Sequence, residues 1–428
     1  MSSLQPVRGT HDLMFEDIRR HRHIETTAFE IAQRYGYSEI ATPVFEFTEV
    51  FTRTLGDTSD IVTKEMYTFE TKGGESITLR PEGTAGVARA FISNGLAQQT
   101  PLKLFYRGPM FRHERPQKGR QRQFHQIGAE LIGVAGPQAD VEVIVLAKHI
   151  LDALQIADVT LQLNSLGDVE SRTAYRDVLV KFLTDRRDRL SPESQERLAR
   201  NPLRVLDSKD PADRAAIADA PRFSDHLNTA SRDFFAAVQA GLTAHGIGFE
   251  VNDALVRGLD YYSHTAFEFV TTTLGAQGTV LAGGRYDGLI GDMGGPATPG
   301  IGWAAGIERL AMMLSGSFEV GAPEVVVIPV GEEEIADCQR IANCLRADGL
   351  VVDFGFSGNV KRRMQRASAA KAHLVALIGA DEKAKDTLTL KNLHNGEQIE
   401  LSGAISDPRL GKRLREYLDD SKWPSKKT

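Results

Sequence analysis

The chain reads as an α+β N-terminal domain, with antiparallel strand pairs between helices and a charged helical insertion, followed by a smaller α/β C-terminal domain. Apolar runs near 105–111 and 124–130 enclose a polar stretch containing Pro116, Lys118 and Gly119, the pattern of two strands joined by a long loop. From Leu166 to about Phe223 the composition turns to dense charge broken by prolines. After Gly321-Ala322-Pro323, strand-like and helix-like runs alternate, which implies parallel strands covered by helices. A length of 428 residues also exceeds the roughly 250–300 at which one hydrophobic core stops growing.

The elements follow in order. From Glu16 to Arg34 the positions Ile18, Ile24, Ala28, Phe29, Ile31 and Ala32 fall mostly at spacings of three and four, predicting an amphipathic helix that packs on a sheet. Tyr35 to Pro43 then enters a strand that ends at proline. The runs 66–69 and 77–79 alternate around the turn Lys72-Gly73-Gly74-Glu75 and predict a hairpin. Thr84 to Asn94 reads as helix, and so does Asp225 to Ala244, ahead of a strand at Gly248–Val251. A small-residue strand at 299–306 leads into a helix beginning near Ile307. Beyond the linker come a strand at Val325–Val330, a helix at Ile335–Ala347, a strand at Val351–Phe354, a second helix, and a strand at His373–Gly379.

Bulk properties exclude more than they select. A chain that is 41% hydrophobic and 25% charged is of ordinary globular composition. Its formal charge of −6 does not forbid nucleic acid, provided the lysines and arginines gather on one face. Cys338 and Cys344 stand six apart on different faces of a helix, so neither a disulfide framework nor a cysteine metal cluster is supported. With no apolar leader and no uncharged apolar window of about 18 residues, no membrane partner is expected, and the protein should remain in the cytoplasm.

The chemistry sits in the arginines. Between Arg107 and Arg122 stand five arginines and one lysine, at or near strand ends. Guanidinium is planar, permanently charged and able to pair bidentately with phosphate oxygens, so arginines on a rigid sheet suit a polyphosphate. Standing alone, the segment also admits a second and less favoured reading, a solvated charged hairpin. Arg309 falls in the first turn of the helix that begins near Ile307, where unpaired backbone N–H groups and the helix dipole already favour anions.

Together these segments resemble the three motifs of class II aminoacyl-tRNA synthetases, in the right order: Tyr35–Pro43, then Phe105–Glu130, then Pro299–Leu310. Leu255-Val256-Arg257-Gly258-Leu259-Asp260-Tyr261-Tyr262 and Leu281-Ala282-Gly283-Gly284-Arg285-Tyr286-Asp287-Gly288-Leu289 resemble the two signatures of the histidyl-tRNA synthetase family. Thr78–Thr84 and Arg8-Gly9-Thr10 agree with it, whereas Leu13-Met14-Phe15 lacks the proline expected at the entry to the first helix.

The resemblance implies a catalytic domain over residues 1–320 with a mixed, mainly antiparallel sheet flanked by helices, an insertion at about 168–223, and an anticodon-binding α/β domain at 324–428. It implies that ATP and L-histidine form histidyl adenylate and pyrophosphate, and that histidine then passes to the 3′ end of its tRNA. Arg112 would contact the α-phosphate and the attacking carboxylate, Arg309 the γ-phosphate, and Arg257 the α-phosphate where related enzymes use a metal ion. Phe124 would stack on adenine and Glu114 would meet its amino group. Glu130 and Tyr262 would grip the imidazole, Glu82, Thr84 and Gln126 would surround the α-ammonium, and Tyr286 would line the same pocket.

A loop with Gln117 and Arg120 would face the tRNA acceptor end, and Lys361-Arg362-Arg363 with Arg366 and Lys371 would offer a phosphate-backbone surface, though such a run is also an ordinary solvated helix face. Mg2+ would travel with the nucleotide, with no dedicated protein metal site. A homodimer through Tyr35–Pro43 is implied. No editing domain is expected, because a site that satisfies two ring nitrogens rejects apolar side chains by factors of about 10⁴ or more. The rival is a non-catalytic regulatory paralogue of ATP phosphoribosyltransferase, which shares the fold but typically lacks the C-terminal domain and part of the signature set.

Overall fold

The computed structural model describes residues 4–56, 61–117, 119–206, 208, 210–255, 261–275, 278–316, 318, 321–419 and 423, with the side chains of Arg200 and Arg204 excepted. Arg257, Lys118 and the rest of 256–260 lie outside the described residues. The chain divides into two compact units, Met1–Ser317 and Phe318–Thr428.

The first unit opens with helix α1 (Phe15–Arg34), edge strand β1 (Ser38–Glu39), strand β2 (Phe45–Phe47) and helix α2 (Glu49–Leu55). The helix entry that lacks proline starts from an extended Met14 with no side-chain cap, and Phe15 takes a positive φ of 51°. Strands β3 (Tyr67–Glu70) and β4 (Ser76–Leu79) form the predicted hairpin and, with β2, a small antiparallel sheet. Helix α3 (Thr84–Ser93) leads to the long strands β5 (Leu102–Phe111) and β6 (Gln123–Ile132), paired antiparallel over their whole length.

Helix α4 (Gln138–Ala153) and strand β7 (Thr160–Ser165) precede the insertion, which holds α5 (Val169–Thr184), α6 (Pro192–Arg200) and α7 (Pro211–Ile217). Proline occupies the first helical position of α6 and α7, where its missing N–H costs nothing. The helix expected from Asp225 is shorter. A 3₁₀ turn covers Phe223–His226, and α8 (Thr229–Ala244) starts after Asn228, whose side chain accepts from the Ser231 N–H as an N-cap. The strand expected at Gly248–Val251 narrows to β8 (Glu250–Val251). Strands β9 (Ser263–Val270) and β10 (Thr279–Arg285), helix α9 (Leu289–Asp292), strand β11 (Gly300–Gly306) and helix α10 (Ile307–Met313) complete the unit.

Eight strands form one sheet in the order β1-β5-β6-β11-β10-β9-β7-β8. The end pairs β1/β5 and β7/β8 are parallel and the rest antiparallel, so the sheet is mixed and mainly antiparallel as expected. Alternation along β5 sorts its faces: the Phe105 ring meets Phe29 of α1 at 5.6 Å, while Tyr106 joins the opposite core with Val87 and Ala88 of α3.

The second unit is an α/β sandwich. Parallel strands β12 (Val325–Pro329), β13 (Val352–Phe354) and β14 (Leu374–Ile378) are extended by antiparallel β15 (Thr387–Asn392) and β16 (Gln398–Ser402). Val325 and Val327 pack with Ile341 and Leu345 of α11 (Ile335–Ala347) and Leu414 of α14 (Leu410–Glu416). Val326 and Ile328 face the other way, onto Ala367 of α12 (Val360–Ala369). A short helix, α13 (Ala380–Lys385), links β14 to β15. Among the described residues no helix is long and apolar enough to cross a membrane.

Candidate active site

A cleft of about 950 Å³ opens over the central strands of the large sheet. It is lined from β6 by Phe124 and Gln126, from β10 and β11 by Leu281 and Gly302, and from the end of the hairpin by Arg112, Glu114 and Arg120. Arg309, in the first turn of α10, faces the same cleft. Arg112 and Arg309, 197 positions apart in sequence (309 − 112), therefore share one cavity.

Each guanidinium is held by backbone. Arg112 Nε donates to the Pro81 carbonyl at 2.9 Å, and its charged carbon lies 5.2 Å from the centre of the Phe124 ring. Arg309 Nη1 donates to the Thr279 carbonyl at 2.6 Å. Glu114 balances part of the charge, 3.2 Å from Arg120 and 3.8 Å from Arg112. Burial first, and then the neighbouring cations Arg120 and Arg112, push the Arg309 guanidinium below its ordinary value. Arginine stays charged regardless. Arg112, Arg120 and Arg309 nonetheless place three guanidinium groups on one cleft, an arrangement that suits an anion.

The cleft is also lined by Glu82, Thr84, Tyr261, Tyr262 and Tyr286. The Glu82 carboxylate accepts the backbone N–H groups of Thr84 at 2.7 Å and Ala85 at 2.8 Å, satisfying the orphan donors at the start of α3. The Gln126 Oε1 is buried with no hydrogen-bond partner, an acceptor left for a ligand. Arg172 of α5 donates to the Tyr262 carbonyl at 2.6 Å and steadies that residue from the insertion.

Glu130 is placed differently from its predicted companions. It is fully buried and absent from the cleft wall, lying beneath it. The Thr84 hydroxyl donates to its Oε1 at 2.7 Å and the Tyr286 hydroxyl to its Oε2 at 2.6 Å. A Cβ at Gly302 would lie 1.7 Å from Oε2, so glycine is what admits the carboxyl there. Burial drives the Glu130 carboxyl up to about 8, against the lowering effect of those two hydrogen bonds. It keeps its proton at neutral pH.

Of the remaining predicted residues, Gln117 pairs with Arg120 in an isolated β-bridge and is absent from the cleft wall. Arg257 lies outside the described residues. Several residues that line the cleft were not anticipated. Glu268 takes a hydrogen bond from Thr279 at 2.8 Å, and Glu308 precedes Arg309. From the insertion, Ser191, Glu193, Arg197 and Asp210 form part of the wall. Nothing in the sequence signals this, since charge density alone does not say which way a helix faces. Arg285, inside the second signature, turns away from the cleft and pairs with Asp140 of α4, both side chains fully buried.

Comparison with known proteins adds a second kind of finding. A family model described as histidyl-tRNA synthetase matches residues 9–310, and one described as anticodon binding domain matches residues 324–417. A curated relative from Rhodospirillum rubrum, histidine–tRNA ligase, is 60% identical over 97% of this chain and 100% of its own length. One of the same name from Gluconacetobacter diazotrophicus is 57% identical over 94% of this chain and 97% of its own. Among solved structures, apo histidyl-tRNA synthetase of S. aureus aligns with a TM-score of 0.79 at 33% identity, covering 98% of this chain and 100% of that one. A Bacillus halodurans structure titled as an ATP phosphoribosyltransferase regulatory subunit/histidyl-tRNA synthetase shares the fold at 22% identity, with a TM-score of 0.64 over 89% of this chain and 99% of that one.

Proposed function

The chain belongs to the histidyl-tRNA synthetase family, and we propose that its N-terminal cleft condenses ATP with histidine to histidyl adenylate before the histidyl group moves to tRNA. It is an enzyme, an aminoacyl-tRNA ligase that joins histidine to its tRNA. Relatives at 60% and 57% identity over nearly the full length favour this activity over the regulatory paralogue.

The observation that carries the adenylate step is the convergence of Arg112 and Arg309 on one cleft that also holds Phe124 and three tyrosines. In this reading the histidine carboxylate attacks the α-phosphorus in line, and pyrophosphate leaves. Charge grows on the α-phosphate oxygens and on the leaving group, so fixed cations are the main tool the chain has. Arg112 neutralises the α-phosphate, Arg309 holds the γ end, and Arg257 of the family signature is assigned to the α-phosphate as well. Phe124 supplies the adenine platform and Glu114 an acceptor for the adenine amino group. Mg2+ would travel with ATP and would supply charge neutralisation on the pyrophosphate. Glu268 offers the carboxylate oxygen that suits such an ion, and its charge acts on Arg309.

Histidine binds among Glu82, Thr84, Gln126, Tyr262 and Tyr286, with the free Gln126 oxygen taking an α-ammonium proton. Glu130, buried beneath the wall, acts on the imidazole through Tyr286. Because the Tyr286 hydroxyl donates to Glu130, its lone pairs are free to accept a ring N–H. The loop with Gln117 and Arg120 receives the acceptor end, the second unit binds the anticodon stem-loop, and the protein works in the cytoplasm. A homodimer through Tyr35–Pro43 is supported by the exposure of Ser38, Glu39, Ala41 and Pro43 in the single chain, next to exposed Phe45 and Phe47.

The direct test is histidine-dependent exchange of labelled pyrophosphate into ATP. Arg257→His is expected to cut the exchange rate far more than it weakens histidine binding. Equal effects on both would contradict a transition-state role for Arg257.

A further inference from the structure

His21 on α1, His125 on β6 and Glu308 on α10 come from three elements, and one potential ligand atom from each falls within 4.8 Å of the others. The His21 and His125 rings meet edge to face, with centroids 5.3 Å apart and planes at 80°. His125 Nδ1 lies 2.9 Å from Glu308 Oε1, and the His125 backbone N–H donates to the same carboxylate at 2.9 and 3.0 Å. The hydrogen bonds account for His125 and Glu308 but not for His21, which is 4% exposed and whose Nδ1 is buried with no partner. A buried polar atom left unsatisfied costs about 1–3 kcal/mol, so its retention calls for an explanation.

We propose that His21, His125 and Glu308 form a binding site for a single divalent transition-metal ion of the Zn2+ class, between α1, β6 and the start of α10. Two imidazoles and one carboxylate are the donors that such ions take, whereas Mg2+ and Ca2+ require oxygen cages. Ligand atoms each about 2.1 Å from a tetrahedral ion lie about 3.4 Å apart, so closing the cluster from separations of up to 4.8 Å takes a shift of roughly an ångström. The ion would replace the proton that His125 Nδ1 shares with Glu308, and that proton would move to the other ring nitrogen, leaving the imidazole neutral. Glu308 also lines the cleft, which leaves room for water or a ligand in a further coordination position. The site stands independently of the adenylate reading, since it needs only the three side chains. It would, however, tie the residue before Arg309 to helix α1.

The test uses the untagged full-length protein, stripped with a chelator and dialysed against Co2+ and, separately, Zn2+. One ion per chain is expected, with Co2+ giving the visible bands of a low-coordinate site with nitrogen ligands. His21→Phe, which keeps a flat ring on α1, and Glu308→Gln should each weaken uptake about tenfold or more, while Cys338→Ser and Cys344→Ser should leave it unchanged. Uptake well short of one ion per chain in the wild type overturns the proposal. So does uptake that is equally tight in every variant, which would assign the metal to scattered surface groups. Should His21→Phe fail to fold, the wild-type Co2+ spectrum decides alone, because an octahedral all-oxygen spectrum rules the site out.

Discussion

In the proposed adenylate step Arg112 and Arg309 would act where charge develops, and each is pre-set by a backbone carbonyl, so neither would need to reorganise as ATP reacts. Removing one preorganised donor of this kind typically costs about 10²–10³ in rate. Arg112→Ala and Arg309→Ala should each lower the pyrophosphate exchange rate by that order while the fold stays intact by circular dichroism. Glu130 makes a prediction in pH. Its carboxyl is raised to about 8, and free histidine loses its ring proton near 6.5, so between those values a protonated Glu130 faces a neutral imidazole across the Tyr286 hydroxyl. The KM for histidine should be lowest in that window and rise as pH climbs above about 8, where Glu130 has lost the proton. Glu130→Gln should abolish the alkaline rise, and its survival would remove Glu130 from recognition. The same raised value means that the native state holds a proton the unfolded chain has already released. Stability therefore declines as pH rises from the ordinary carboxylate range towards 8. The family resemblance implied Glu130 as a histidine contact, but nothing in the sequence marked its full burial, which depends on β6 pairing with β11 through Gly302. The His21–His125–Glu308 cluster was illegible for a related reason, since no local pattern links residues on three separate elements.

At the scale of elements, the signature Gly283-Gly284-Arg285-Tyr286 splits its roles by strand alternation. Tyr286 faces the cleft, while Arg285 crosses to Asp140 and anchors the sheet to α4. Truncating one partner of a fully buried pair leaves the other charge uncompensated, so Arg285→Ala should destabilise the first unit by about 3–5 kcal/mol in urea unfolding. Lysine is not expected to rescue it, because the bidentate fork and the bonds to the Val134 and Gly136 carbonyls need a guanidinium. The insertion has its own pin. Buried Asp213 accepts the Ser191 N–H at 2.7 Å and the hydroxyls of Ser191, Ser194 and Ser208 at 2.8, 2.6 and 2.5 Å. Asp213→Ala should loosen the wall that Ser191 and Glu193 give to the cleft and raise the KM for a substrate held there; an unchanged KM with an intact fold would deny that wall a role. Periodicity located α1 and α11 closely because their apolar stripes are regular. It overran the start of α8, where a short polar side chain, Asn228, stops the helix by capping it. Periodicity does not report capping.

For the whole molecule, the two units divide between Ser317 and Phe318 and have separate cores. The change from antiparallel pairing to alternating strands and helices was visible in the sequence because each pattern has its own hydrophobic period. The eight-strand order was not visible, since register between distant strands leaves no local trace. Removal of the residues after Pro323 should spare adenylate formation and cripple transfer to tRNA; intact transfer would contradict an anticodon role for the second unit. The central claim is that one cleft, with Arg112 and Arg309 at its phosphate end and Glu82, Tyr262 and Tyr286 at its amino-acid end, activates histidine. Histidine-dependent exchange of labelled pyrophosphate into ATP, run side by side on the wild type and Arg112→Ala, tests it most directly. The account predicts brisk exchange in the wild type with histidine and none without it, and a loss of about two to three orders of magnitude in the variant. No histidine-dependent exchange by the wild type with magnesium present, or equal exchange by both proteins, would contradict it.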